Sequence, residues 1–419
     1  MSYHVPSAPP LEATGARRYV IFGAIMLVYM FYAFCWNTEN FLRPYMAESL
    51  GLTKTQVAAF YTFQALGAMI GAIILSQVAD RTSRRNTLAA ISFGIGLAAL
   101  GVYFVDDFVS ALVQRFVMGF FLGGVFGTVV SVYVGLFPAT VLGFLAGVVQ
   151  LAYNGGDALL SWFGRHYDAS NWHEILQIGG VGAICAGIVV LLVVPDDRTR
   201  ITADGSVVKV VRAKPAMREL FVDGRWKLTW RLALLAGLNY FAYQAFSGWA
   251  TTFLREVHNY PTDMVGKLMT VLHVGSMVGA LLWGMAADRF GRRANAIGFV
   301  FAALAIVAYL TLPATPVMLA SAGFAYGFCI VSHGIWGPYF AEMYPEHLRA
   351  TAASIINWGR IVSLLGSLLT GWVAQHFGLY TIMYIGGATY ALAALLWWTL
   401  PETLQRKPSV IPVAVSKPS

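Results

Sequence analysis

Apolar stretches of about twenty residues, each closed by a short cluster of charged, proline or small polar residues, recur twelve times along this chain. A bilayer's hydrocarbon core is about 30 Å thick, so a spanning helix rising 1.5 Å per residue needs about 20 such residues. The first six stretches run approximately over 19–42, 55–78, 88–105, 108–131, 142–163 and 175–194. The second six run approximately over 231–253, 264–286, 295–312, 317–338, 351–372 and 380–400. They lack the alternation of barrel strands, and lipid satisfies no open sheet edge, so the pattern predicts an all-α membrane protein with twelve transmembrane helices. The divisions that follow are an N-terminal tail 1–18, a six-helix bundle 19–194, a polar linker 195–230, a second six-helix bundle 231–400 and a C-terminal tail 401–419.

Composition agrees: 58% of the 419 residues are hydrophobic, 14% aromatic and only 11% charged, far from a soluble globular balance. The polar N-terminal tail and the absence of a small-residue cleavage site after the first apolar stretch argue against a signal peptide. Cys35, Cys185 and Cys329 each fall inside a span, which points to packing rather than a disulfide framework. The net charge of +8 is unevenly placed. With the N-terminus in the cytoplasm, Arg17, Arg18, Arg81, Arg84, Arg85, Arg289, Arg292, Arg293, Arg349, Arg406, Lys407 and the linker's basic residues fall inside, against Arg43, Lys54, Arg165, Arg255 and Lys267 outside. The positive-inside bias thus predicts cytoplasmic N- and C-termini, and headgroup contact, not nucleic acid, explains the charge.

Two charged clusters interrupt the apolar pattern, LSQVADRTSRR at 75–85 and WGMAADRFGRR at 283–293, 208 residues apart. The same interval relates Gly67 and Gly71 to Gly275 and Gly279. Each glycine pair is a Gly-x-x-x-Gly, suited to close helix packing or to a sliding contact during transport. The chain is therefore expected to be a duplication. Gly-x-x-x-Asp-Arg-x-Gly-Arg-Arg is complete from Gly284 to Arg293, while the first copy has Ser76 and Ser83 at the glycine positions. The motif resembles the loop signature of the major facilitator superfamily, and with twelve spans, a central linker and a half-chain repeat the resemblance covers nearly the whole chain. It implies a transporter whose two bundles rock about a central site. It also implies gating roles for Asp80, Arg81, Arg84, Arg85, Asp288, Arg289, Gly291, Arg292 and Arg293. The acids would meet helix N-termini or neighbouring arginines when the cytoplasmic side closes, with simple membrane anchoring by the arginines as the alternative. Pro338, Glu342, Pro345 and Arg349 resemble the signature between helices ten and eleven of sugar porters and organic-ion porters, and Pro401-Glu402-Thr403 resembles the motif closing the last helix there. Glu342 and Arg349 are read as second gate elements or as an interfacial salt bridge. The first half offers only Pro138, in LFPATVLGF.

Ionisable groups inside spans are costly and by default mark a path or a pair. Arg115 opens a run resembling the Arg-x-x-x-Gly pattern of the fourth helix in proton-coupled members. Gln150, Asn154, Asp157 and Ser161 follow spacings of four, three and four and share one face of the fifth helix. Arg115 and Asp157 lie at similar depth, about 10 Å below the outer ends of their helices, and are expected to pair, either structurally or as a site where Asp157 takes a proton and frees Arg115 for an anion. Arg360, at helical spacing from Ser354 and Asn357, falls near mid-bilayer; its partner is a carboxylate substrate held bidentately or an acid such as Glu39. Asn239, Tyr243, Gln244, Ser247 and Trp249 in the seventh helix suggest a cavity for a small carboxylate or aromatic acid. Gln-x-x-Ser-Gly there resembles part of the sugar-porter pattern, so a sugar is the second reading. Glu39, which has Arg43 at i+4, and His273 complete the titratable candidates for proton coupling. Helix one carries Tyr32-Ala-Phe-Cys35 where aromatic-acid porters have Asp-Gly-x-Asp, and helix five lacks the Gly-rich, Pro-centred antiporter signature, which favours import by symport. No nucleotide-binding glycine loop or metal-ligand spacing is present, so neither an enzyme nor a cofactor is expected; a non-transporting sensor on a transporter fold is the alternative class. The expectation is a monomeric importer of a small organic anion with protons, in the plasma membrane, specifically a bacterial inner membrane.

Overall fold

The computed structural model describes residues 15–134, 136–137, 142–196, 217–222, 224–345, 348, 352 and 354–404. Twelve long helices follow one another: α1 (Arg17–Leu50), α2 (Lys54–Arg81), α3 (Arg84–Leu100), α4 (Phe108–Val134), α5 (Leu142–Gly164) and α6 (His173–Val193), then α7 (Trp226–Glu256), α8 (Thr262–Phe290), α9 (Ile297–Thr311), α10 (Pro316–Ile330), α11 (Gly359–Phe377) and α12 (Leu379–Trp398). α10 continues through a 3-10 turn, Val331–Ile335, into a short helix, Trp336–Glu342. Among the described residues, nine helices are long and apolar enough to cross a membrane by length and composition. The three outside that set, α5, α7 and α11, carry Asn154, Asp157, Asn239, Gln244, Ser367 and Thr370 in the interior. These buried polar residues lower the mean hydropathy of their helices.

Several boundaries differ from the sequence-based ones. α1 runs on to Leu50, through Pro44. α7 starts at Trp226, ahead of the expected 231, and the 3-10 turn Met217–Phe221 packs beneath it. Thr229 donates to the Leu220 carbonyl at 2.6 Å, and Phe221 stacks on Trp358. The rest of the linker, 197–216, lies outside the described residues.

Helix pairing repeats between the halves. α2 packs on α4 as α8 packs on α10, α3 on α6 as α9 on α12, and α1 on α5 and α6 as α7 on α11 and α12. The glycine pairs explain the first of these. A Cβ at Gly67 or Gly71 would overlap the carbonyl oxygens of Phe116 or Phe120, and one at Gly275 or Gly279 those of Phe324 or Phe328. Both pairs therefore serve close packing inside a bundle.

The two bundles meet through α1·α7, α5·α8 and α2·α11. Their bonds gather toward the end bearing the α1–α2 and α7–α8 turns, here called distal. Lys54 pairs with Glu256 at 2.7 Å, Arg255 with Glu48 at 2.6 Å, and Thr55 donates to Gln375 at 2.7 Å. Deeper in, Ser367 donates to the Ala58 carbonyl and Thr62 to that of Leu364. At the opposite, terminal end, the ion pairs of the described residues stay within a bundle or its flanking segment. The distal end is thus the tied end.

Candidate functional site

α1 supplies the centre. Its residues 37–40, Asn-Thr-Glu-Asn, are all buried in the middle of an otherwise apolar helix. Each successive side chain turns by about 100°, so these four residues reach different neighbours. Glu39 accepts from Arg43 one turn on, Nη2 at 2.6 Å and Nε at 3.2 Å, and Arg43 also donates to Asn40 at 3.0 Å. The Arg43 guanidinium lies over the Trp249 ring of α7, 4.4 Å from its centroid. Pairing with Arg43 was one expectation for Glu39; its alternative role as counter-ion to Arg360 is set aside, because Arg43 occupies it.

The expected Arg115–Asp157 pair does not form. Arg115 donates to Thr38 at 2.8 Å and to Gln64 at 3.4 Å, with its second nitrogen 3.3 Å from the Met46 sulfur. Asp157 instead accepts from Asn37 at 2.5 Å and faces His273 of α8 at 3.8 Å. The two residues share a depth, but α1 stands between them, offering Thr38 to α4 and Asn37 to α5. Ser161 and Asn154 bond back to carbonyls of their own helix, those of Asp157 and Gln150.

Arg360 begins α11 and is partly exposed. It donates to the Tyr32 hydroxyl at 3.4 Å and lies over Trp36 and Tyr240, 4.7 and 5.9 Å from their centroids. Tyr32 stacks on Tyr29, and Tyr153 stands 6.0 Å from both rings. One cation is therefore set among flat aromatic walls contributed by both bundles. Tyr243 turns from α7 to donate to Asn37 at 3.3 Å. Asn239 and Gln244 are buried, the Asn239 oxygen and both Gln244 amide atoms without a hydrogen-bond partner among the described residues, and Ser247 meets Tyr326. The side chain of Asn357 lies outside the described residues. Asn37, Trp36, Tyr153 and Tyr240 were not singled out from sequence, and Tyr32 was noted only as a departure from the aromatic-acid porter motif; the polar run at 37–40 was the available signal for Asn37.

At the terminal end the gate residues form local networks. Arg292 pairs with Asp288 at 2.6 Å and Glu342 at 3.4 Å, and Thr403 donates to Glu342. Glu402 accepts from the backbone N–H groups of Arg292 and Arg293, both at 2.9 Å, at the start of the turn into α9. Burial alone pushes the Glu402 carboxyl up, but backbone N–H groups of Leu404, Arg293, Arg292 and Thr403 together hold it below its ordinary value. Gly291 has φ 111°, a region glycine alone enters comfortably. Ser83 at the matching position is extended, φ −140°, and caps α3 itself, which explains why serine is tolerated there. Arg84 donates to the Ser131 carbonyl, Arg85 pairs with Asp196 at 3.0 Å, and Arg289 lies against Phe290. The side chains of Asp80 and Arg81, and all of Pro138 and Arg349, lie outside the described residues.

A groove of about 500 Å³ between α3 and α4 is lined by exposed Leu97, Phe104 and Val113. Its apolar walls suit lipid, not a polar solute. Among the described residues no group of three or more His, Cys, Asp or Glu side chains could hold a metal.

The family model described as Major Facilitator Superfamily matches residues 25–272 and 232–415. The chain is 25% identical to the niacin transporter NiaP of Acinetobacter baylyi, over 86% of this chain and 88% of that one. It is 22% identical to the gallate transporter of Pseudomonas putida, over 91% of this chain and 92% of that one. In fold it is similar to a bacterial homolog of the human lysosomal transporter Spinster, solved in an inward-facing and unoccupied conformation, with a TM-score of 0.72, 16% identity, and 92% and 97% of the two chains covered.

Proposed function

The chain belongs to the major facilitator superfamily, and on that premise we propose that this membrane transporter imports a small organic anion, an aromatic or other monocarboxylate, together with protons. The observation carrying this reading is Arg360: a partly exposed guanidinium between Trp36 and Tyr240 and beside Tyr32. A planar carboxylate meets a guanidinium fork through two parallel hydrogen bonds, and its ring fits flat aromatic walls. Charge favours the same class, since the described interior holds Arg43, Arg115 and Arg360 against Glu39 and Asp157. An excess of positive charge in a medium of low dielectric attracts an anion and repels cationic solutes. Relatives named for gallate and niacin, whose acids are planar and aromatic, support the substrate class.

In this reading Asp157 is the proton acceptor. The tied distal end faces outward and the terminal end, with both chain termini, faces the cytoplasm, so the conformation is inward-open. The networks of Arg85, Asp288, Arg292 and Glu342 would re-form across the bundles when that side closes. The chain acts as a monomer in a plasma membrane, the bacterial inner membrane.

The test is uptake into proteoliposomes of radiolabelled gallate, nicotinate and xylose, with and without an inward proton gradient. Gradient-driven accumulation of either acid, lost in Asp157→Asn while counterflow persists, is expected. Accumulation of xylose alone, or uptake indifferent to the gradient, overturns the reading.

A further inference from the structure

Asp157 of α5 and His273 of α8 face each other across the seam between the bundles, Oδ2 and Nδ1 3.8 Å apart. Both are buried, 2% and 8% exposed. The other groups around Asp157 are neutral. From α1, Asn37 donates to it at 2.5 Å and also reaches the Tyr153 hydroxyl of α5 at 3.1 Å. From α7, Tyr243 donates to Asn37. The charged residues of α1, Glu39 and Arg43, are bonded to each other, and Arg115 is held by Thr38 and Gln64. Among the described residues, His273 is thus the one ionisable base within ion-pair range of Asp157. A cavity of about 20 Å³, lined by Asn37, Asn40, Ser161, Tyr243 and Ser247 among others, adjoins His273. It has room for one water, which needs about 10–15 Å³, and for no solute.

The charge states of this pair are unequal in cost. With no proton, a carboxylate is buried without a counter-charge, which costs several kcal/mol. With two, an imidazolium is buried alone at a similar penalty. With one, the pair is neutral overall, whether the proton sits on the imidazole or on the carboxyl. Only the one-proton state suits a closed seam.

Resting on the reading of Asp157 as proton acceptor, we propose that Asp157 and His273 jointly hold a single proton whose presence is required for the distal seam to close. Loss of that proton toward the terminal side leaves the carboxylate uncompensated and drives the seam open again, so the pair sets the coupling at one proton per transport cycle.

Spin labels at Ser170 and Ala314, exposed distal positions on the two bundles, report seam closure by double electron–electron resonance in nanodiscs, in a Cys185→Ala background without substrate. The closed-to-open ratio is expected to rise about tenfold per pH unit lowered, as one-proton linkage requires. Asp157→Asn, whose amide mimics the protonated carboxyl, is expected without substrate to shift toward the closed seam and to lose the pH dependence wherever His273 is neutral. His273→Gln removes one of the two places the proton can sit, so the midpoint moves to lower pH. A wild-type population indifferent to pH, or a His273→Gln midpoint equal to wild type, overturns the pair and leaves Asp157-dependent uptake standing by itself. Gradient-driven uptake that survives Asp157→Asn overturns the underlying reading instead. Should Asp157→Asn fail to fold, the wild-type and His273→Gln titrations still decide.

Discussion

Replacing Arg360 with lysine keeps the positive charge and removes the fork and the stacked plane. Two interactions with a planar acid are then weakened. A second charge-assisted hydrogen bond contributes about 1.5–3 kcal/mol, and the guanidinium's contact with Trp36, 4.7 Å away, contributes about 0.5–2 kcal/mol to holding the cation in place. Part of the stacking survives with an ammonium, so the net loss is about 2–4 kcal/mol, or about 30- to 1,000-fold in Kd. Equilibrium binding of gallate by scintillation proximity, alongside a neutral sugar as control, measures it. Arg360→Lys is expected to weaken gallate by that factor and to leave the sugar within about threefold. A gallate Kd changed less than threefold, or an equal loss for both solutes, would show that Arg360 does not hold the carboxylate.

Other substitutions probe the frame around it. Glu39→Gln leaves Arg43 buried beneath Trp249 without its carboxylate and is expected to destabilise by about 3–5 kcal/mol; thermal unfolding should show Glu39→Gln combined with Arg43→Met recovering much of the loss. Gly71→Ala would press a methyl on the Phe120 carbonyl and cost about 1–3 kcal/mol by forcing α2 from α4, read in the same assay. Lys54→Ala and Arg255→Ala each remove an exposed distal ion pair worth about 0.2–1 kcal/mol, so distal-open populations should rise severalfold at most, less in high salt. The Glu402 carboxyl sits below its ordinary value when folded, so its contribution is full above the ordinary carboxylate range and is lost as pH falls through the depressed value. The protection factors of the Arg292 and Arg293 amides, exchange rates corrected for the intrinsic pH dependence, should fall in that acid window, and Glu402→Gln should lower them at neutral pH.

The helices and the half-chain repeat were legible because lipid imposes a length and duplication imposes a spacing: the glycine pairs at 67/71 and 275/279 sit at equivalent contacts in both halves. Glu39–Arg43 was legible too, being one turn apart on one helix. What failed was the inference from depth to contact. Arg115 and Asp157 reach a similar level, but rotation about the bundle axis decides which neighbour each meets, and that is set by tertiary packing. The aromatic surroundings of Arg360 were hidden for the same reason. Tyr32, Trp36 and Tyr240 look like ordinary apolar positions until α1, α7 and α11 are brought together.

Glu402 closes a turn that lies 110 residues before it, whereas Ser83 caps the helix that starts immediately after it. During synthesis the first half can therefore complete its α2–α3 corner as soon as that corner leaves the ribosome, but the α8–α9 corner must wait until α12 and the residues after it have been made. A frameshift or nonsense codon just past Leu400 would spare all twelve long helices described above and still release that corner, which makes the segment following α12 a checkpoint on the second half.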